Sequence, residues 1–252
     1  MINTRLIYIT IIVPAIILMV LALYPNLDIK FSQLFYTDSQ GFVYRNNFIV
    51  LFFFQIIPIF TKIFITSCIV YLLYKILKLK RWQDFLFSTI LYLVVTGLIG
   101  PGLIVNHIFK ENFGRARPVQ IVDFNGSKSF SRVLAISNQC HHNCSFSSGH
   151  AAMAYYFTAL AYALALYNSK KLKESALLKK SSDLDSSFLL KEKAIFPIIY
   201  IIMLLFGSVV GFSRILMGGH FLSDVIASCL IVLSVNYLLY LWWQKQRLIL
   251  IE

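Results

Sequence analysis

The chain has 252 residues, 58% of them hydrophobic and 15% aromatic, and only 13% charged, with a mean hydropathy of +0.73. A soluble domain of this size would carry about twice that density of charge, so the composition is that of a polytopic membrane protein. The formal net charge is +12, but the Lys and Arg residues stand in short clusters between apolar runs, which serves membrane orientation and argues against a nucleic-acid partner.

Residues 6 to 24 are almost wholly apolar and end at Pro25-Asn26, long enough for a first span. Too few residues precede them for a charged leader region and no small-residue cleavage site follows, so the run is expected to be a retained helix. Residues 25 to 47 mix Asp28, Lys30, Asp38, Gly41 and Arg45 and read as an exposed loop with an interfacial turn. Residues 48 to 77 are apolar again, interrupted by Pro58 and Lys62. A lysine at mid-bilayer costs about 2.5 to 3.5 kcal/mol on insertion scales. Two placements avoid that cost: residues 48 to 58 lie in the interface and the span runs from 59 to 77, or Lys62 faces a hydrated cavity. The lysine then either snorkels to headgroups or meets the charge of a substrate.

A basic cluster at Lys75, Lys78, Lys80 and Arg81 precedes a third span over 85 to 108, whose second half holds Gly97, Gly100, Pro101 and Gly102, suited to close helix approach and a kink. A polar island fills 110 to 150. Residues 149 to 167 are expected as a fourth span. Residues 168 to 194, rich in lysine from Lys170 to Lys193, read as a solvated loop, part helical. A fifth span covers 195 to 212 and a sixth 222 to 243, followed by Lys245 and Arg247. With six spans, Arg5, the 75 to 81 cluster, the 168 to 194 loop and the C-terminal tail share one side, cytoplasmic by the positive-inside rule. The polar island and Ser213-Arg214 then share the other. Residues 1–252 are expected to form one integral membrane domain.

Cys68 and Cys229 lie in spans and read as packing residues. Cys140 and Cys144, in a loop expected to face an oxidising compartment, favour a disulfide over free thiols. Metal binding by Cys140-His141-His142-Asn143-Cys144 trails, because adjacent histidines in so short a loop seldom wrap one tetrahedral ion.

The polar residues at the ends of the spans gather the parts that phosphate monoester cleavage requires: cations and amides for the equatorial oxygens, an in-line nucleophile, and an acid for the departing oxygen. Lys110 and Arg117 follow the third span, Ser148, Gly149 and His150 precede the fourth, and Arg214, His220 and Asp224 surround the start of the sixth. His220 and Asp224 stand four positions apart, which places carboxylate and imidazole on one helical face. Asp224 can accept one ring N–H and leave the other nitrogen free to attack phosphorus. Ser148-Gly149 at a helix start presents a hydroxyl and backbone N–H groups to an anion, and His150 is placed to protonate a leaving alkoxide. Taken singly, each Lys or Arg at a span end reads as an interfacial anchor, and each His as structural or hydrated. Asp224 beside an apolar run is harder to dismiss, and the whole set together is far less easily incidental.

These three elements resemble the signature of the type 2 phosphatidic acid phosphatase (PAP2) superfamily: Lys110 followed after six residues by Arg117-Pro118, then Ser147-Ser148-Gly149-His150, then Ser213-Arg214 followed after five residues by His220 and after three more by Asp224. Ser147 stands where the family has proline, a change that touches loop geometry and no reacting group. The resemblance implies an all-α bundle of six transmembrane helices with a periplasmic active site and no metal or cofactor. It implies His220 as a nucleophile that forms a phosphohistidine, Asp224 as the residue that orients it, and His150 as general acid. Lys110, Arg117, Ser148, Gly149 and Arg214 are implied as the phosphate clamp. A narrower resemblance rests on Pro25-Asn26-Leu27-Asp28-Ile29, Gly114-Arg115-Ala116-Arg117-Pro118 and Asn143-Cys144-Ser145-Phe146, and points to bacterial lipid A phosphatases, especially those acting at the 4'-position of the lipid on the outer leaflet of the inner membrane. In that reading Arg115 and Lys128 suit a multiply charged headgroup. The alternatives are a phosphatase for undecaprenyl diphosphate or phosphatidylglycerol phosphate, a lipid phosphotransferase, and, in a different class, a non-catalytic lipid carrier or scaffold.

Overall fold

The computed structural model describes residues 2–78, 84–178 and 186–249. Helix α1 (Thr4–Leu23) begins at Asn3, whose side chain accepts the Leu6 N–H, and buries Ile7, Pro14, Leu18 and Leu21. Pro25 follows its end. The short helix α2 (Asn26–Gln33) and a hairpin of β1 (Tyr36–Thr37) and β2 (Gly41–Phe42) come next, with Tyr36 opposite Phe42 and Thr37 opposite Gly41. The expected exposed loop over 25 to 47 is therefore corrected, since Asp28, Ser32 and Phe42 are buried. Phe42 and Tyr36 pack on Phe124 of the polar island.

Helix α3 (Phe48–Leu77) is capped by Asn47, whose Oδ1 accepts the Ile49 and Val50 N–H groups, and carries Pro58 inside it. Its 30 residues span about 45 Å, so residues 48 to 58 and 59 to 77 form one continuous helix. Lys62 lies on its exposed outer surface and is absent from the cavity described below. That position suits a side chain running along the helix to headgroups and not one facing substrate. Helix α4 (Phe85–Asn112) starts at Asp84, which accepts the Phe87 N–H at 2.7 Å and pairs with Lys75, tying the end of α3 to the start of α4. Over Leu98–Phe109 it widens into π-helical turns around Gly100-Pro101-Gly102. There Asn106 Nδ2 donates to the Pro101 carbonyl at 2.7 Å, satisfying backbone that the irregular winding exposes.

Helix α5 (Gly149–Tyr155) passes through a tight 3-10 turn, Tyr156–Thr158, into α6 (Ala159–Leu178). The turn is held from α8 (Leu222–Ile249): Asn236 Nδ2 donates to Thr158 Oγ1 at 2.9 Å and to the Tyr156 carbonyl, while Tyr92 donates to the Asn236 carbonyl. Helix α7 (Ser186–Leu216) packs closely on α5. A Cβ at Gly207 would lie 2.2 Å from the Tyr155 ring, so glycine sets that approach. Ala151, Ala152, Ala159, Ala161 and Tyr162 are fully buried, and Tyr162 meets Phe196, Tyr200, Tyr237 and Tyr240 edge-on or tilted. The α5–α6 segment is thus the axis of the bundle.

Among the described residues five helices are long and apolar enough to cross a membrane: Thr4–Leu23, Phe48–Leu77, Phe85–Asn112, Ala194–Leu216 and Leu222–Gln246. The expected fourth span over 149 to 167 is helical but divided by the 3-10 turn, and it faces protein on most sides because of its alanines and tyrosines. The expected loop over 168 to 194 is helical up to Leu178 and again from Ser186. Residues 179–185, with Lys179 and Lys180, lie outside the described residues, as do Lys80 and Arg81 and the side chains of Lys170, Lys171, Lys173, Lys191, Lys193 and Arg247.

Candidate active site

The ends of α4 and α7 and the starts of α3, α5 and α8 meet at one end of the bundle, joined by the polar island. The strongest knot there is Arg115, a guanidinium only 1% exposed. It donates to Asp224 Oδ1 at 2.6 Å, Ser223 Oγ at 2.8 Å, Asp28 Oδ2 at 2.9 Å and the Ser131 carbonyl at 2.9 Å, and its plane lies 4.3 Å from the centre of the Phe221 ring. Asp28 also takes the Ser223 N–H in the first turn of α8, where a carboxylate is favoured. Burial pushes the Asp28 carboxyl up, against the pull of Arg115. Two carboxylates share this one cation in a dry environment, which explains its full set of hydrogen bonds. The expectation that Arg115 suits a headgroup is therefore corrected: Arg115 is an internal tie. Lys128 is exposed and is not a lining residue of the cavity, although its backbone pairs with Val122 and with Gln120.

Asp224 is held on three sides, by Arg115, by Ser145 Oγ at 2.6 Å and by the Phe221 N–H at 2.9 Å. His220 occupies the turn between α7 and α8, where the Arg214 carbonyl accepts the Gly219 and His220 N–H groups. Its Nδ1 lies 2.8 Å from the Ser145 carbonyl and 3.7 Å from Asp224 Oδ2. Because a carbonyl only accepts, Nδ1 carries the hydrogen and Nε2 the lone pair. By the i, i+4 spacing that N–H is expected on Asp224. The geometry gives it to Ser145, whose hydroxyl is itself bonded to Asp224, so the carboxylate acts on the ring across a short relay. Burial lowers the His220 pKa to about 3 against the opposing pull of Asp224, so the ring is neutral near pH 7.

Four of the expected residues line one cavity of about 480 Å³: Lys110 from the end of α4, Arg117 from the island, His150 from α5 and Arg214 from α7. Lys110 Nζ donates to Asn143 Oδ1 at 2.7 Å and Arg117 to the Asn143 carbonyl at 2.8 Å. Burial lowers the Arg117 pKa, and the Asp224 carboxylate opposes that change. Asn143 has a positive φ of 52° and sits in the loop closed by a disulfide between Cys140 and Cys144. Ser148, Gly149, His220 and Asp224 are not lining residues and lie buried beside the cavity wall. Ser148 and Asp224 are tied together, with the Ser148 N–H on the Asp224 carbonyl and Ser228 Oγ on both the Ser148 and Asp224 carbonyls. Gly149 admits the close pass of Asn106, whose Oδ1 would lie 2.4 Å from a Cβ at that position. The peptide bond joining Phe146 to Ser147 is cis.

Ser148 Oγ and Arg214 Nε are among the buried side-chain atoms, Ser147 Oγ also included, that have no hydrogen-bond partner among the described residues. Buried polar groups are almost always satisfied, and Ser148 Oγ and Arg214 Nε adjoin a cavity of cations. The arrangement fits a tetrahedral oxyanion.

Further cavity residues escaped the sequence reading: Arg45, Phe54, Gln120, Asn143 and Met217. Phe54 stacks on His150 with ring centres 5.0 Å apart and 22° between planes, and Arg214 lies 4.5 Å from the centre of the same ring. Nothing in a run of phenylalanines distinguishes Phe54, except that Pro58 stands four residues on.

The PAP2 superfamily profile matches residues 84–248. A lipid A 4'-phosphatase of Francisella tularensis subsp. novicida is 30% identical over 89% of this chain and 90% of its own. Proteins of the same name from Rhizobium leguminosarum and Rhizobium etli are 32% and 34% identical, each over 55% of this chain and over 65% and 59% of their own. No solved structure matches.

Proposed function

The chain belongs to the PAP2 superfamily and is a membrane phosphatase, and from that premise we propose that it removes the 4'-phosphate of a lipid A-type glycolipid at the periplasmic face of the inner membrane. One observation carries the reading: Lys110, Arg117 and Arg214 converge with His150 on a single cavity, next to the unpartnered donors Ser148 Oγ and Arg214 Nε and the polarised His220.

In this reading the three cations and the Ser148 hydroxyl hold the phosphate oxygens, and the lone pair on His220 Nε2 attacks phosphorus in line. The bond from phosphorus to the sugar oxygen breaks as His150 gives that oxygen a proton. Water then attacks the phosphohistidine, His150 takes back a proton, and inorganic phosphate leaves. Asp224 and Ser145 favour the charge that develops on the His220 ring. The sixth crossing is assigned to the α5–α6 segment. The charges Arg5, Lys75, Lys78 and Lys245 at the far end of the bundle favour a cytoplasmic location for that end, which leaves the cavity on the periplasmic side. The identity and near full-length coverage of the Francisella relative support the lipid class.

Mass spectrometry of lipid A from cells with and without the protein is the test. The expected result is loss of one phosphate from the 4'-position, abolished by His220→Ala, together with acid-labile labelled phosphate trapped on the wild-type protein. Unchanged lipid A with altered undecaprenyl phosphates or phosphatidylglycerol would reject the substrate. Turnover retained by His220→Ala would reject the nucleophile.

A further inference from the structure

Pro58 lies inside α3 and has no N–H, so the carbonyl four residues earlier, that of Phe54, is without its ordinary helical donor. That same carbonyl lies 3.1 Å from His150 Nε2. The Phe54 ring stacks on the His150 imidazole and carries the Arg214 guanidinium against it. Three contacts from one residue thus reach two members of the cavity. All of them come from α3, which lies outside the stretch matched by the family profile.

We propose that Phe54 and Pro58 form a positioning device for His150: the proline leaves a helix carbonyl open, the carbonyl fixes the tautomer and plane of the imidazole, and the ring holds imidazole and guanidinium in register. This rests on the reading of His150 as general acid. A carbonyl only accepts, so Nε2 keeps its hydrogen throughout; burial and the Arg214 guanidinium hold the free His150 ring neutral, so the proton that Nδ1 transfers is one it takes from the phosphate monoester monoanion as that binds. In the first step the Nδ1–H bond breaks and an O–H bond forms on the leaving sugar oxygen as its bond to phosphorus breaks. His150 ends neutral, still donating from Nε2 to Phe54. In the second step Nδ1 takes a proton from the attacking water, which restores the starting state. Neither α3 residue touches the phosphate in this scheme, and both act through His150.

The test exploits leaving-group dependence. A sugar alkoxide needs a proton to depart, whereas the nitrophenolate of p-nitrophenyl phosphate does not. The variants are Pro58→Ala, which returns an N–H to the Phe54 carbonyl and removes a helix breaker, and Phe54→Leu, which removes the ring. Phe54→Tyr is the conservative rescue and His150→Ala the reference, all measured on purified full-length protein with lipid A and with p-nitrophenyl phosphate. His150→Ala is expected to lose kcat on lipid A by about 100-fold or more and far less on the aryl ester. Pro58→Ala should repeat that pattern at about tenfold on lipid A, with kcat on the aryl ester within about twofold of wild type; Phe54→Leu, which also frees Arg214, should lose activity on both substrates but more on lipid A, and Phe54→Tyr should match wild type. Equal losses on both substrates in the α3 variants, or no loss on either, would overturn the proposal while the acid assignment stands. Equal losses in His150→Ala itself would overturn the acid assignment and the device with it.

Discussion

Arg115 shows how far a single side chain can depart from what its neighbours in sequence indicate. Beside Arg117-Pro118 it reads as one more cation for a headgroup, yet it is buried between Asp28 and Asp224. Removing one partner of a buried ion pair strands the other charges, at a cost of about 3–5 kcal/mol. Arg115→Ala should therefore lower the thermal unfolding temperature sharply in detergent and reduce the yield of folded protein. Had Arg115 been a headgroup contact, the variant would instead raise KM and leave stability alone. His220 supplies a pH dependence. Its pKa in the folded protein is about 3, below the ordinary 6.5, so between those values the unfolded chain binds more protons. The stability that depends on keeping His220 neutral is complete above about pH 6.5 and is lost progressively as pH falls toward about 3. Thermal unfolding between about pH 7 and about pH 4 should show this loss, and His220→Phe should flatten it. An unchanged slope in His220→Phe would assign the acid sensitivity to other groups.

At the scale of elements, the disulfide loop matters through Asn143. One residue accepts from both Lys110 and Arg117, so the loop closed by Cys140 and Cys144 decides how the two cations stand. Asn143→Gly keeps the left-handed backbone without strain and deletes only the contact to Lys110. It is expected to raise KM severalfold with little change in kcat, read by steady-state kinetics. An equal fall in kcat with KM unchanged would show that the contact matters in the transition state alone. The motif residues of this loop and of the helix ends were legible from spacing, because i, i+4 and fixed loop offsets are properties of local chain geometry. Asn143, Phe54 and Arg45 were not legible as cavity residues, since each enters from an element whose own sequence contains no reason for it to be there. Pro58 was visible, but only as a helix breaker: that the carbonyl it frees meets His150, 96 residues from Phe54, is a fact about packing.

Across the whole molecule the cavity exists only where α3, α4, α5, α7 and α8 end together, so orientation in the membrane decides which leaflet it serves. A cysteine placed at exposed Lys128, at the cavity end, should react with a membrane-impermeant thiol reagent added to intact spheroplasts, and one at Lys78 should react only after lysis. The reverse pattern would place the cavity on the cytoplasmic side. By itself the sequence determined that the chain is a helical membrane protein, where most of its apolar helices lie, and which motif residues belong to one chemistry. Hydropathy along a 20-residue stretch and the spacing of polar groups at helix ends are one-dimensional quantities set by bilayer thickness and helical pitch. Only the tertiary structure decided that 149 to 167 is a divided, buried axis and that the His220 ring answers to the Ser145 carbonyl. It alone revealed that Asp28 and Arg115 are internal and that α3 reaches His150. Each of these depends on groups far apart in the chain, such as Asp28 and Ser223 at a separation of 195 residues, which meet because a dry interior leaves a charge or a free carbonyl no partner but another part of the same protein.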